Sequence, residues 1–295
     1  MNKIKTEFPL TQAQIAHYHE HGYVIVRNFF APEEIEPLRQ ACDRDRSLNN
    51  TQSEVDYGGI GFKLSVWSEL GDSMLGVIPR MARVVDAAEA LEGEECYHWH
   101  SKIVLKKPTE GSVAWHQGFG TWYEDYCLYP KLVSCCIAIN ENTRKNGCLQ
   151  IAKGSHHLGR IENVMLPNSN SSCADPERLK IVLDRLEIVY CELQQCDAVF
   201  FHANTLHGSD LNETNDIRVA LFCTYNVVSN EPYNLDNQQH HRYIPLEKVP
   251  DSALREKQYN GIFETQKFFE VETADDPKTG VSIRHGRTKK SIANV

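Results

Sequence analysis

The chain has 295 residues, 41% of them hydrophobic, enough to bury a substantial core in one large β-barrel or sandwich or in two smaller units. Its formal net charge of -9 argues against a nucleic-acid surface or an anionic membrane, since both attract basic patches, and a small-molecule partner is expected instead. The 10 cysteines form no CxxC pair, MNKIKTEFPLTQ lacks the apolar run of a signal peptide, and no stretch approaches the roughly 20 apolar residues of a membrane span, so reduced core thiols in a cytoplasmic protein are expected.

In chain order, Thr11 to His21 starts with a capping residue and predicts a short helix leading into the apolar run Tyr23 to Phe30. Ala31-Pro32-Glu33-Glu34 opens a second helix to about Arg44, with proline in its first turn. A third helix is predicted from Pro79 to Leu91. From Cys96 onward short β-type runs follow one another: Cys96 to Leu105, Ala114 to Phe119, Leu132 to Asn140, Cys148 to Ala152, Glu187 to Leu193, Ala198 to Leu206 and Arg218 to Val228. Pro167 to Pro176 reads as a surface excursion, followed by a helical stretch to about Arg185. Many short strands without alternating helices indicate a mainly β sandwich or jelly roll with flanking helices. The expected organisation is one domain: a helical part over 1–95, a jelly-roll core over 96–230, and an extension over 231–295 ending in a poorly ordered basic tail.

Three residues stand out chemically. His116 lies in one β-type run and His207 at the end of another, and strand alternation puts position 118 on the same side as His116. A His-x-Asp pair plus a distant His is how a two-His, one-carboxylate triad holds iron and leaves positions open. Arg218 follows His207 by eleven residues across a polar turn, the spacing that lets a cation on the neighbouring strand pair with a carboxylate. By alternation Phe222, Thr224 and Asn226 share its face, and Asn226 is a candidate substrate contact.

At these residues the sequence resembles the phytanoyl-CoA dioxygenase family of iron(II)/2-oxoglutarate oxygenases. The resemblance runs through His21 to Arg27, Tyr97 to Lys102, Trp115-His116-Gln117, Asn146 to Gln150, Gly154-Ser155-His156 and the unit from His207-Gly208-Ser209 to Arg218. It implies a double-stranded β-helix (jelly roll, cupin-like), iron held by His116 and His207, 2-oxoglutarate held by Arg218 and Ser209, and Lys63 or Lys102 near the site. The family motif is His-x-Asp, whereas Gly118 stands where the carboxylate belongs, and Glu124 and Asp125 lie too far along to replace it from the same strand face. Chloride would supply the missing charge and donor in the space the glycine leaves. This resembles the radical halogenases of the superfamily, including a group that chlorinates free amino acids such as lysine.

The resemblance therefore implies a halogenase using Fe(II), 2-oxoglutarate, O2 and chloride on a small polar metabolite. Trp115, Phe119, Trp122, Tyr123, His98 and His100 are candidates to position that substrate, with core packing as the plainer role for each. The alternatives are a hydroxylase that tolerates Gly118 or carries it in place of an original aspartate, and a non-catalytic relative that kept the fold. Two histidines without a third close ligand make an incomplete zinc set.

Overall fold

The computed structural model describes residues 9–44, 52–55, 61–165, 172–234 and 242–268. The predicted excursion falls partly, and the basic tail wholly, outside the described residues. Among the described residues no helix is long and apolar enough to cross a membrane.

Helix α1 (Gln12–His21) starts where predicted because Thr11 and Gln14 form a reciprocal capping box, and it stops where Gly22 takes a left-handed φ of 82°. Strand β1 (Tyr23–Val26), α2 (Pro32–Arg44), β2 (Gln52–Val55), β3 (Gly61–Trp67), α3 (Met74–Val77) and α4 (Ala82–Glu92) complete the first part. Then come β4 (Cys96–Lys106), β5 (Val113–His116), α5 (Gly118–Trp122), β6 (Leu132–Ala138), β7 (Leu149–Ala152), β8 (Asn163–Met165), β9 (Ser172–Ala174) and α6 (Pro176–Leu183). Strands β10 (Ile188–Tyr190), β11 (Ala198–His202), β12 (His207–Ser209) and β13 (Arg218–Val227) close the set.

A seven-stranded sheet ordered β1-β11-β6-β13-β4-β3-β2 faces a four-stranded sheet ordered β10-β7-β12-β5, and the named strand pairs are antiparallel. This is the jelly roll. The large sheet is apolar on both faces. One face carries Ile103, Leu105, Val133, Cys135, Leu221 and Cys223 against the helices, and the other carries Val66, Val104, Cys136, Ala138, Ala220 and Phe222 toward the small sheet. Burial on both sides explains why β6 and β13 read as continuous apolar runs instead of alternating ones.

Residues opposite one another in the ladders line up as rows across the inner face. One row is Val199, Cys136, Phe222, Lys102 and Val66; the next is Phe201, Ser134, Thr224 and His100. At the other end Arg218 stands opposite Lys106.

Two predicted strands change course. The run Ala114 to Phe119 ends as a strand at His116, and Gly118 begins α5. The run Ala198 to Leu206 leaves the large sheet after His202 and re-enters as β12 of the small sheet. Both turns are held by side-chain amides. Gln117 donates to the Asn204 carbonyl (2.9 Å) and accepts from the Ile161 amide (2.7 Å), while Asn204 donates to the His156 carbonyl (3.0 Å). These bonds satisfy backbone groups that a continued strand would have paired.

Candidate active site

His116 ends β5 and His207 begins β12, and the two are direct partners in the ladder. Their ring centroids are 4.2 Å apart. Each Nδ1 hydrogen-bonds a carbonyl two residues back, His116 to Ala114 (2.8 Å) and His207 to Thr205 (2.9 Å). A carbonyl only accepts, so both rings carry their proton on Nδ1 and keep the Nε2 lone pair for a ligand. Burial pushes the His116 imidazole down to about 4, with Lys102 adding to the effect. His207 is lowered well below the usual histidine range, mainly by burial and then by His116 and Lys102. Both are neutral and able to bind a metal at neutral pH.

Arg218, at the start of β13, is 2% exposed. Its Nε donates to Asn142 Oδ1 (3.1 Å), and its Nη1 has no hydrogen-bond partner among the described residues. A buried guanidinium with an unused N–H is costly unless an anion meets it. Ser209 lies two residues beyond His207 on β12, so both side chains face the same way about 6.6 Å apart along the strand, a span matched by a five-carbon diacid. The Ser209 hydroxyl accepts from Lys106 Nζ at 2.7 Å. The donors for an iron and for a 2-oxoglutarate tail are thus present in the right order, and both groups fit.

Among the described residues no group of three or more His, Cys, Asp or Glu could hold a metal, so neither Glu124 nor Asp125 completes the pair of imidazoles. Gly118 does not open simple free space either. A Cβ built there would lie 2.7 Å from Trp122 Cη2 and 2.9 Å from Cζ3, so the indole of Trp122 curls back over the glycine. The room expected for a halide is therefore bounded by the indole ring of Trp122.

The other candidates divide by face. Lys102 points inward in the row of Phe222, with its ammonium 5.1 Å from that ring. His100 also points inward, its ring 5.8 Å from that of Trp122. Phe119 and Trp122 pack with Tyr97, Trp99, Cys127 and Leu132. Four expectations are corrected. Lys63 stands opposite Leu105, on the helix side of the sheet, while its neighbours Leu64 and Val66 face the interior. Trp115 packs on the outer side of the small sheet with Ala152, Ile161 and Leu206. His98 is turned outward by a bulge and uses both ring nitrogens, on the Ser68 carbonyl (3.1 Å) and Ser101 Oγ (2.8 Å). The Asn226 amide donates to Tyr97 and the Asn230 carbonyl and accepts from Asn230, so it is a structural tie and not a substrate contact.

Sequence reasoning missed Lys106 and Asn142. Alternation from His100 and Lys102 along β4 is the signal that would have brought Lys106 inside.

Residues 18–220 match the family described as phytanoyl-CoA dioxygenase (PhyH). The chain belongs to this family. Among its relatives is the ectoine dioxygenase of Halomonas elongata, 29% identical over 269 residues that cover 83% of this chain and 78% of that protein. Another is the L-proline trans-4-hydroxylase of Streptomyces griseoviridis, 25% identical over 239 residues, 76% and 89% of the two chains. A crystal structure of EctD from S. alaskensis with 2-oxoglutarate and 5-hydroxyectoine shares the fold, with a TM-score of 0.67, 24% identity and coverage of 84% and 90%. This phytanoyl-CoA dioxygenase family member is an enzyme of the iron(II)/2-oxoglutarate oxygenase superfamily.

Proposed function

We propose that this oxygenase transfers a halide to an unactivated carbon of a small polar metabolite, a free amino acid such as lysine being the leading class. Gly118 carries the reading: the family's carboxylate position has no side chain, and among the described residues no other carboxylate, thiolate or imidazole completes the pair of histidines. When bound, iron, 2-oxoglutarate and oxygen supply an oxidant that removes a hydrogen atom from an unactivated C–H bond.

The chain's own residues do the rest. His116 and His207 would hold the metal through Nε2, and Arg218 with Ser209 would take the distal carboxylate of 2-oxoglutarate. Phe201, 4.8 Å from the His207 ring, limits water around that imidazole. The inner row Ser134, Thr224 and His100, next to Trp122, offers polar contacts on the side away from Arg218. The position in which the pocket holds the reacting carbon would decide between halide and oxygen transfer, so substrate position matters as much as the missing carboxylate.

Hydroxylation is the second reading. The named relatives favour it: one is an ectoine dioxygenase and the other an L-proline trans-4-hydroxylase. Mass spectrometry of amino-acid pools incubated with iron, 2-oxoglutarate and oxygen, with chloride, with bromide and without halide, separates the two. A product carrying the halide's isotope pattern, formed only in its presence, is expected. The same hydroxylated product in all three mixtures would establish the second reading.

A further inference from the structure

Lys106 is completely buried, and its Nζ donates to Ser209 Oγ and to the Asp210 carbonyl, both at 2.7 Å. It reaches from β4 of the large sheet to β12 of the small one, on the same inner face as Arg218, its direct partner across the ladder. Opposed residues in an antiparallel pair have Cα atoms about 4.5–5.5 Å apart, so two cationic side chains enter the same corner of the interior.

An ammonium can only donate, so the hydrogen bond from Lys106 uses a lone pair of Ser209 Oγ and leaves the serine's own proton to be directed elsewhere. Without Lys106, that hydroxyl could rotate and spend its proton on the Asp210 carbonyl or a nearby backbone oxygen. Arg218 Nη1, also buried and without a partner, supplies a second N–H in the same corner. We infer that Lys106 is a positioning residue for the 2-oxoglutarate tail, fixing Ser209 as a donor to the carboxylate that Arg218 Nη1 also receives. The inference rests on the reading that Arg218 and Ser209 form the 2-oxoglutarate site. It adds a selectivity element: a hydroxyl held as a donor toward that carboxylate favours 2-oxo acids with a distal carboxylate over those without one.

The test is calorimetric binding of 2-oxoglutarate and of 2-oxohexanoate, which lacks the distal carboxylate, to Mn(II)-loaded protein and to Lys106→Met, Ser209→Ala and the double variant. Lys106→Met is expected to raise the 2-oxoglutarate Kd roughly ten-fold or more, the loss typical of one charge-assisted hydrogen bond, and to leave 2-oxohexanoate unchanged. Because Lys106 acts through Ser209, the double variant should be little weaker than Ser209→Ala alone. In turnover, KM for 2-oxoglutarate should rise with kcat preserved at saturation. A 2-oxoglutarate Kd within two-fold of the parent, or equal weakening toward both acids, overturns the inference. Should Lys106→Met not fold, Ser209→Ala carries the test, and unchanged discrimination between the two acids overturns it. Failure of the parent protein to bind 2-oxoglutarate would refute the underlying site reading and is distinct from either result.

Discussion

At position 118 the absence of a side chain and the presence of Trp122 are one feature. Any Cβ there meets the indole at a separation that real structures do not tolerate, so Gly118→Asp cannot restore a carboxylate ligand while Trp122 keeps its place. Overpacking of this kind costs about 1–3 kcal/mol. The single variant should therefore unfold at lower temperature than the parent, with no gain in metal affinity. Gly118→Asp combined with Trp122→Ala should bind Mn(II) more tightly than the parent; calorimetry and thermal unfolding measure both. A single variant as stable as the parent would mean that Trp122 does not obstruct the position. The second residue is Arg218. Its replacement by alanine would leave a buried carboxylate without its main partner, and the 2-oxoglutarate Kd should rise about 100-fold or more. Saturation at the parent's concentration would refute the assignment.

Among the elements, α1 depends on its start. Thr11 and Gln14 satisfy one another's backbone amides, and the helix then packs Tyr18 into the core with a 2.7 Å bond to Glu92 on α4. Thr11→Ala should lower unfolding stability by about 1 kcal/mol, read as a shift in urea midpoint at unchanged slope. That helix was legible because its signals are local: a capping residue, an uninterrupted run and a terminal glycine. For α2 the signal was the proline and the acidic residues of its first turn, and β4, β6 and β13 have long apolar runs that leave little ambiguity. His116, His207 and Arg218 were legible because a strand partner and an eleven-residue return fix their placement. The rest depended on distant groups. No periodicity around Gln117 announces that its amide will bond Asn204 and Ile161 and end the strand there. The inward and outward faces of β3 are set by its register with β4, which put Lys63 opposite Leu105, and the bulge that turns His98 outward leaves no mark in the pattern. Lys106 was passed over because a lysine is a surface residue by default, and only its serine partner across the barrel makes it an interior one.

For the whole molecule, protonation links the site to stability. His116, held to about 4, His202, held to about 3, and His207, lower than normal, are all kept neutral chiefly by burial. The unfolded chain takes up protons on these groups as pH falls through about 6.5 and the native chain does not, so they reduce stability from about pH 6.5 down toward 4. Glu92 opposes this. Burial raises it to about 7, so the native state keeps a proton that the unfolded state loses above about 4.5, a contribution present in acid and lost as pH rises through 7. Three imidazoles outweigh one carboxyl. The urea midpoint of the metal-free protein should fall from pH 7 to pH 5, and Glu92→Gln should steepen the fall. A midpoint that rises toward pH 5 would contradict the buried-neutral assignment.

All 10 cysteines are free and buried, from Cys42 on α2 to Cys223 in the centre of β13. The native molecule thus hides a store of sulfhydryls that unfolding releases at once, so a thiol-reactive dye should report almost nothing before the transition and the complete set after it. Heated without reductant, the released groups would cross-link at random. Recovery on cooling should then require a reducing agent, which makes reversibility a property of the buffer as well as of the fold.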